Sequence, residues 1–237
     1  MEIQLRTDKG RVRPVNEDAV LAFTKNEYEI LLLADGLGGH RAGEVASRMV
    51  VEAMRERLSA RDLDPMEEAL REAAQYANAA VFSCQKNEPD YAGMGSTLVC
   101  AVIGPEEVHI AHAGDSRAYL ASENGLTQLT KDHCVSNDLA GRSEEVSENL
   151  KHMLTRAMGT EQEIRIDYLK IEPGDGTLLL LCSDGLSNEL SKDEILGILQ
   201  SPRTLSERAD LLIEQANANG GKDNITLALC ERKGAEA

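Results

Sequence analysis

Apolar residues in this chain arrive in two rhythms. Short, nearly continuous runs occupy residues 28–34, 97–103, 107–113 and 177–183, and runs of roughly four to eight apolar positions suit strands buried on both faces. Elsewhere the apolar positions recur every three or four residues. Val45, Ala46, Met49, Val50, Ala53, Met54 and Leu58 do so after Gly43, which predicts an amphipathic helix. A second helix is expected from Asp64-Pro65, a capping residue and a first-turn proline, through Leu70, Ala73, Ala74, Ala77 and Val81. Ser191 is a natural cap for a helix over 192–200. Leu205, Ala209, Leu212, Ile213 and Ala216 mark another over 205–218, stopped by Gly220-Gly221.

Further strands are expected at 2–7, 19–24, 117–121, 126–129 and 224–230, with Asn124-Gly125 as the hairpin turn before 126–129 because both residues tolerate positive φ. Residues 11–18 read as a polar loop, and 132–152 as an irregular excursion. Helix pairs set apart from antiparallel strands predict an α+β protein built in layers. Each half pairs one strand ending in Asp-Gly with two following helices.

Those two strand ends are the sharpest chemical signal. Ile30, Leu31, Leu32, Leu33 and Ala34 run into Asp35-Gly36, and Leu178–Cys182 and Ser183 run into Asp184-Gly185. An Asp-Gly alone makes a turn. Two of them at the ends of buried strands can hold two carboxylates near one point.

Composition narrows the function. The formal charge of -16, from 41 acids against 25 bases, disfavours a nucleic-acid partner and favours cations or basic segments. The five cysteines are scattered, with no Cys-x-x-Cys pair, so they read as reduced thiols rather than a zinc or redox site. No stretch approaches the ~18 apolar residues of a membrane span, and the N-terminus has no signal core; a cytoplasmic protein without membrane partners is expected. His109 and His112, three apart on one strand, fall on opposite faces. No nucleotide-binding glycine loop and no nucleophile elbow is present.

More acids sit beside glycine or asparagine: Glu17-Asp18, Asp115 and Asp223. Carboxylates crowded together repel and raise one another's pKa unless a multivalent cation neutralises them. Oxygen ligands of this kind suit Mg²⁺ or Mn²⁺.

Eight blocks then occur in order. They are Thr7-Asp8 to Asn16-Glu17-Asp18, with Gly10 and Arg13 inside, Ala34-Asp35-Gly36 to Glu44 and Ser47, Gly93 to Thr97, Ala113 to Tyr119, Leu129 to His133, Leu154 to Gly159, Cys182 to Leu186, and Lys222 to Thr226. This pattern resembles the type 2C metal-dependent protein phosphatases, the PPM family, in their compact bacterial form.

The resemblance implies a four-layer α-β-β-α sandwich of two antiparallel sheets, each flanked by a helix pair. It implies one phosphatase domain over 1–237, with its core at 2–231 and a variable flap at 135–152. It assigns Asp35 as the bridge between two Mn²⁺ or Mg²⁺ ions, with the Gly36 carbonyl as a ligand. Asp184 and Asp223 become ligands of the first ion, Glu17 and Asp18 hold the water shells, and Asp115 joins Asp184 at a weaker third site. Arg13 becomes the phosphate-binding arginine, with Thr97 and Asn224 in support. The implied reaction is hydrolysis of phosphoserine and phosphothreonine in proteins by metal-activated water at the binuclear centre. The implied partners are phosphoproteins of a cognate Ser/Thr kinase, met by a monomer. The alternatives are a catalytically silent phosphoprotein-binding domain and a small-molecule phosphohydrolase. Leu37 stands where many eukaryotic members carry a histidine proposed as general acid, so that role is not assigned to His40.

Overall fold

Alternation of side chains along each strand sorts the apolar runs into separate layers. The structure is a computed structural model and describes residues 1–37, 42–139, 153–174 and 176–232. Its strands are β1 (Glu2–Asp8), β2 (Asp18–Lys25), β3 (Tyr28–Leu37), β4 (Gly95–Ser96), β5 (Leu98–Ile103), β6 (Val108–Ala113), β7 (Arg117–Ser122), β8 (Gly125–Gln128), β9 (Asp167–Ile171), β10 (Leu178–Cys182) and β11 (Ile225–Glu231). They form two antiparallel sheets. One has the order β2-β3-β5-β6-β9, with β4 added to the far end of β3, and the other the order β1-β11-β10-β7-β8.

The helices are α1 (Ala42–Ala60), α2 (Met66–Asn87), α3 (Val135–Asp138), α4 (Asp184–Ser187), α5 (Lys192–Leu199) and α6 (Leu205–Ala218). On β3, Ile30, Leu32 and Ala34 pack with Val50, Met54, Leu70 and Ala74 of α1 and α2. Leu31 and Leu33 turn the other way and meet Leu179, Leu181 and Ala228 of the second sheet. On β10, Leu178, Leu180 and Cys182 pack with Ile195, Leu199, Leu212 and Ala216 of α5 and α6. Three apolar interfaces thus separate four layers, as the expected sandwich requires. Each fully buried leucine contributes about 1.5–3 kcal/mol. Ser191 with Glu194 and Thr204 with Glu207 complete capping boxes at α5 and α6. Among the described residues no helix is long and apolar enough to cross a membrane.

Some local expectations change. β3 runs through Asp35 and Gly36 to Leu37, because Asp35 pairs with Asp18 of β2 and Gly36 with Ser96 of β4. The β7–β8 turn lies one residue earlier than expected: Ser122 pairs with Gly125, and the positive φ of 122° belongs to Gly125, not to Asn124. α2 continues to Asn87. Asp132 and His133 are buried rather than part of an excursion. The expected flap contributes α3 at its start, and residues 140–152 lie outside the described residues.

Candidate metal centre

Strand register brings the acids together. Asp35 lies on the same face of β3 as Leu31 and Leu33, and Asp18 opposite it lies on the same face of β2 as Val20 and Ala22. Both therefore point between the sheets, just past the apolar layer. Asp184 opens α4 after β10, Asp223 precedes β11, and Asp115 follows β6. Arg13, Glu17, Asp35, Gly36, Asp115, Asp184, Asp223 and Asn224 line a single cavity of about 690 Å³. Its other wall is Met153 to Ala157, with Thr160 and Glu161. Asp18 lies beneath this lining, where its Oδ2 accepts a 2.8 Å bond from the Ser183 hydroxyl.

Close backbone approaches hold these pieces in place. A Cβ on Gly36 would fall 2.2 Å from the Gly43 carbonyl oxygen, and one on Gly185 would fall 2.0 Å from that of Asn224. Only glycine lets α1 and the 223–224 turn come so near. Asn224 is buried and staples the polar loop: its Nδ2 donates to Lys9 O and Val15 O at 2.9 Å each, and its Oδ1 accepts from Glu17 N at 2.8 Å. Thr97 Oγ1 accepts the Asp35 N–H at 2.8 Å.

The electrostatics of this arrangement are strained. Burial, together with the charges of Asp18, Asp184, Asp115 and Asp223, holds the Asp35 carboxyl well above the usual range. Burial pushes Asp18 up to about 7 against the opposing hydrogen bonds of Thr226 and Ser183. It pushes Asp115 up to about 7, aided by Asp184 and Asp132, and raises Asp184 and Glu17 as well. Arg13 Nη2 reaches Asp223 Oδ2 at 2.6 Å.

Such a set of groups fits a hard divalent cation. Glu17 Oε1 and Asp18 Oδ1 are buried without any hydrogen-bond partner, and the donors are oxygens throughout. Among the described residues no three His, Cys, Asp or Glu side chains form a ready-made chelating group. Other oxygens of the set are paired, Asp223 with Arg13, Asp18 Oδ2 with Ser183 and Asp184 with Asn188, and a cation would take over from those partners.

The Protein phosphatase 2C family profile matches residues 10–227. The chain belongs to the protein phosphatase 2C family. The serine/threonine phosphatase stp of Listeria monocytogenes is 41% identical over 98% of this chain and 96% of its own length. The crystal structure of serine/threonine phosphatase Stp1 from Staphylococcus aureus superposes with a TM-score of 0.91 at 34% identity, covering 98% of this chain and 95% of that one. The catalytic domain of PstP in complex with two manganese ions superposes at 0.85, with 36% identity and 96% of each chain covered.

Within this protein phosphatase 2C fold, the expected Arg13, Glu17, Asp35, Gly36, Asp115, Asp184, Asp223 and Asn224 line one cavity, Asp18 lies beneath it and Thr97 behind the Asp35 backbone, and several supporting groups were not legible. Ser183 braces Asp18, and its hydroxyl in turn accepts the Thr226 N–H at 3.0 Å. Arg117 makes a bidentate pair with the buried Asp132, with contacts of 2.7–3.0 Å, beside a second cavity of about 200 Å³ that shares Asp115 and Asp184. Residues 117 and 132 fall in different motif blocks, so only topology reveals the pair. His109 bonds Tyr168 and Glu107, while His112 faces His133 on the other side of β6 with ring centroids 4.7 Å apart. Neither lines the cavity.

Proposed function

We propose that this chain is a protein-serine/threonine phosphatase that hydrolyses phosphoserine and phosphothreonine in proteins at a centre of two Mn²⁺ or Mg²⁺ ions. The observation that carries this reading is the convergence of Asp35 and Asp115 from one sheet with Asp184 and Asp223 from the other, beside Arg13. Asp35 would serve both ions and the Gly36 carbonyl one of them, Asp184 and Asp223 the first, Glu17 and Asp18 their water shells, and Asp115 with Asp184 a weaker third site. Bound there, the ions supply a hydroxide near neutral pH and offset the charge of the phosphate.

The chain's own residues do the rest. Arg13 is exposed at the cavity and presents a planar fork to phosphate oxygens once it leaves Asp223. Asn224 fixes the loop that carries Arg13 and Glu17. Thr97 fixes the backbone of Asp35, so the carboxylate is held before substrate arrives. Met153, Leu154 and Ala157 form an apolar wall for the peptide around the phosphoresidue.

In this proposal residues 1–237 act as one catalytic domain, a cytoplasmic monomer opposing a Ser/Thr kinase. The test is Mn²⁺-dependent hydrolysis of a phosphothreonine peptide beside small phosphate esters. Turnover of the peptide that is lost in Asp35→Asn supports the proposal. Equal rates for wild type and Asp35→Asn overturn it, and preference for the small esters replaces the substrate class.

A further inference from the structure

Behind the Asp35 backbone lies a pair of hydroxyls sealed from solvent. Thr97 and Ser116 are both 0% exposed, and their Oγ atoms stand 2.7 Å apart. Thr97 is strapped to Asp35 twice: its Oγ1 accepts the Asp35 N–H at 2.8 Å, and its own N–H donates to the Asp35 carbonyl at 2.9 Å. Having accepted that N–H, the Thr97 hydroxyl keeps one further hydrogen bond, to Ser116 Oγ, in which either oxygen can donate. The turn carrying Asp115 also presses on the same side chain. Gly114 has φ of 114°, and a Cβ there would fall 2.6 Å from Thr97 Cγ2.

The topology explains why such a link is needed. Asp35 belongs to β3 and Asp115 follows β6, and β5 stands between those strands. No ladder hydrogen bond joins β3 to β6 directly. Thr97 is the residue immediately before β5. It receives Asp35 on one side and the Gly114-to-Ser116 turn on the other.

We infer that Ser116 is a positioning residue for the metal centre: through Thr97, its hydroxyl fixes Asp115 relative to Asp35 and so sets the affinity of the cation site that takes Asp115. This rests on the ligand assignment proposed above. Groups that orient metal ligands through hydrogen bonds are worth about 10–100-fold in metal affinity. Ser116 touches neither cation nor phosphate in this scheme. It acts through the oxygen that holds Asp35.

The experiment is Mn²⁺ binding to the metal-free protein, read by calorimetry and by the Mn²⁺ paramagnetic resonance signal, without substrate. Wild type is compared with Ser116→Ala, Thr97→Val, Thr97→Ser, Asp115→Ala and Asp35→Asn. Asp115→Ala identifies the Asp115-dependent binding. Ser116→Ala and Thr97→Val are expected to weaken that component roughly tenfold, whereas Thr97→Ser, which keeps the hydroxyl, stays close to wild type. If Ser116→Ala does not fold, the Thr97 pair decides, and equal affinities for Val and Ser overturn the inference. Wild-type affinities in both Ser116→Ala and Thr97→Val also overturn it. Loss of binding in Asp35→Asn alone would then leave the ligand assignment standing, while wild-type binding in Asp35→Asn removes both.

Discussion

Arg13 and Asp223, 210 positions apart in sequence, form an ion pair with Nη2 2.6 Å from Oδ2. The pair joins the residue assigned to phosphate with a residue assigned to a cation. Until cation and substrate arrive, Arg13 therefore stands in for the cation and Asp223 for the phosphate, and one carboxylate charge of the cleft is offset.

Replacing Arg13 follows directly from that pairing. The two side chains are 48% and 33% exposed, and so open a pair contributes about 0–1 kcal/mol to stability. Arg13→Ala is expected to leave thermal unfolding nearly unchanged and to lower kcat/KM on a phosphothreonine peptide about 10–100-fold, the value of a charge-assisted phosphate contact. Arg13→Lys restores charge without the fork and recovers only part of the loss. Steady-state kinetics beside a melting curve check both statements.

Asp35→Asn is expected to abolish turnover while stabilising the metal-free protein. Asp35 is raised by burial and by four neighbouring carboxylates, so removing its charge relieves repulsion. A gain of about 0.5–2 kcal/mol is typical of relieving a strained functional group, or roughly 2–4 °C in Tm per kcal/mol for a chain of this size. An unchanged or lower Tm in the presence of chelator would contradict this.

The pH dependence of the metal-free protein is expected to run opposite to acid denaturation between about pH 4 and 7. Asp18 and Asp115 are pushed up to about 7, and Asp35 and Asp184 are also raised. Groups whose folded pKa exceeds the unfolded value of about 4 bind protons more tightly when folded. Their contribution is complete below the unfolded pKa and is lost as pH rises through the folded pKa. Melting curves with chelator should therefore show a higher Tm near pH 5.5 than near pH 8. Saturating Mn²⁺ binds the ionised form and should reverse that order.

Much of this architecture was legible because burial on both faces leaves a plain mark. The runs that became β3, β5, β6 and β10 are almost wholly apolar, and the helix stripes of α1 and α6 are regular. β9 was missed because Asp167–Ile171 is half-exposed and edges its sheet, with a charge at each exposed position. Within the site, acids beside glycine were readable, since the chemistry demands those residue types. The Ser183, Ser116 and Asp132 contacts were not, because a hydroxyl or carboxylate that braces another residue across the fold has no local spacing rule.

Asn224→Ala is expected to cost about 1–3 kcal/mol, because the buried amide satisfies three backbone groups of the loop at residues 9–17. The same change should lower kcat/KM, since that loop carries Arg13 and Glu17. Asn224→Asp keeps the acceptor for Glu17 N–H and loses both donors, so its unfolding free energy in urea should not return to wild type. Full recovery in Asp would show that the donors to Lys9 and Val15 do not matter.

The middle apolar layer also has a metric consequence. Asp35 rides on the sheet of Leu31 and Leu33, and Asp184 on the sheet of Leu179 and Leu181. The thickness of that packing is the gauge that spaces the two carboxylates, and a close-packed interior transmits small changes of volume. Under the ligand assignment proposed above, trimming a leucine of this layer is expected to shift the ratio of Mn²⁺ to Mg²⁺ affinity, read by calorimetry, without altering a single ligand.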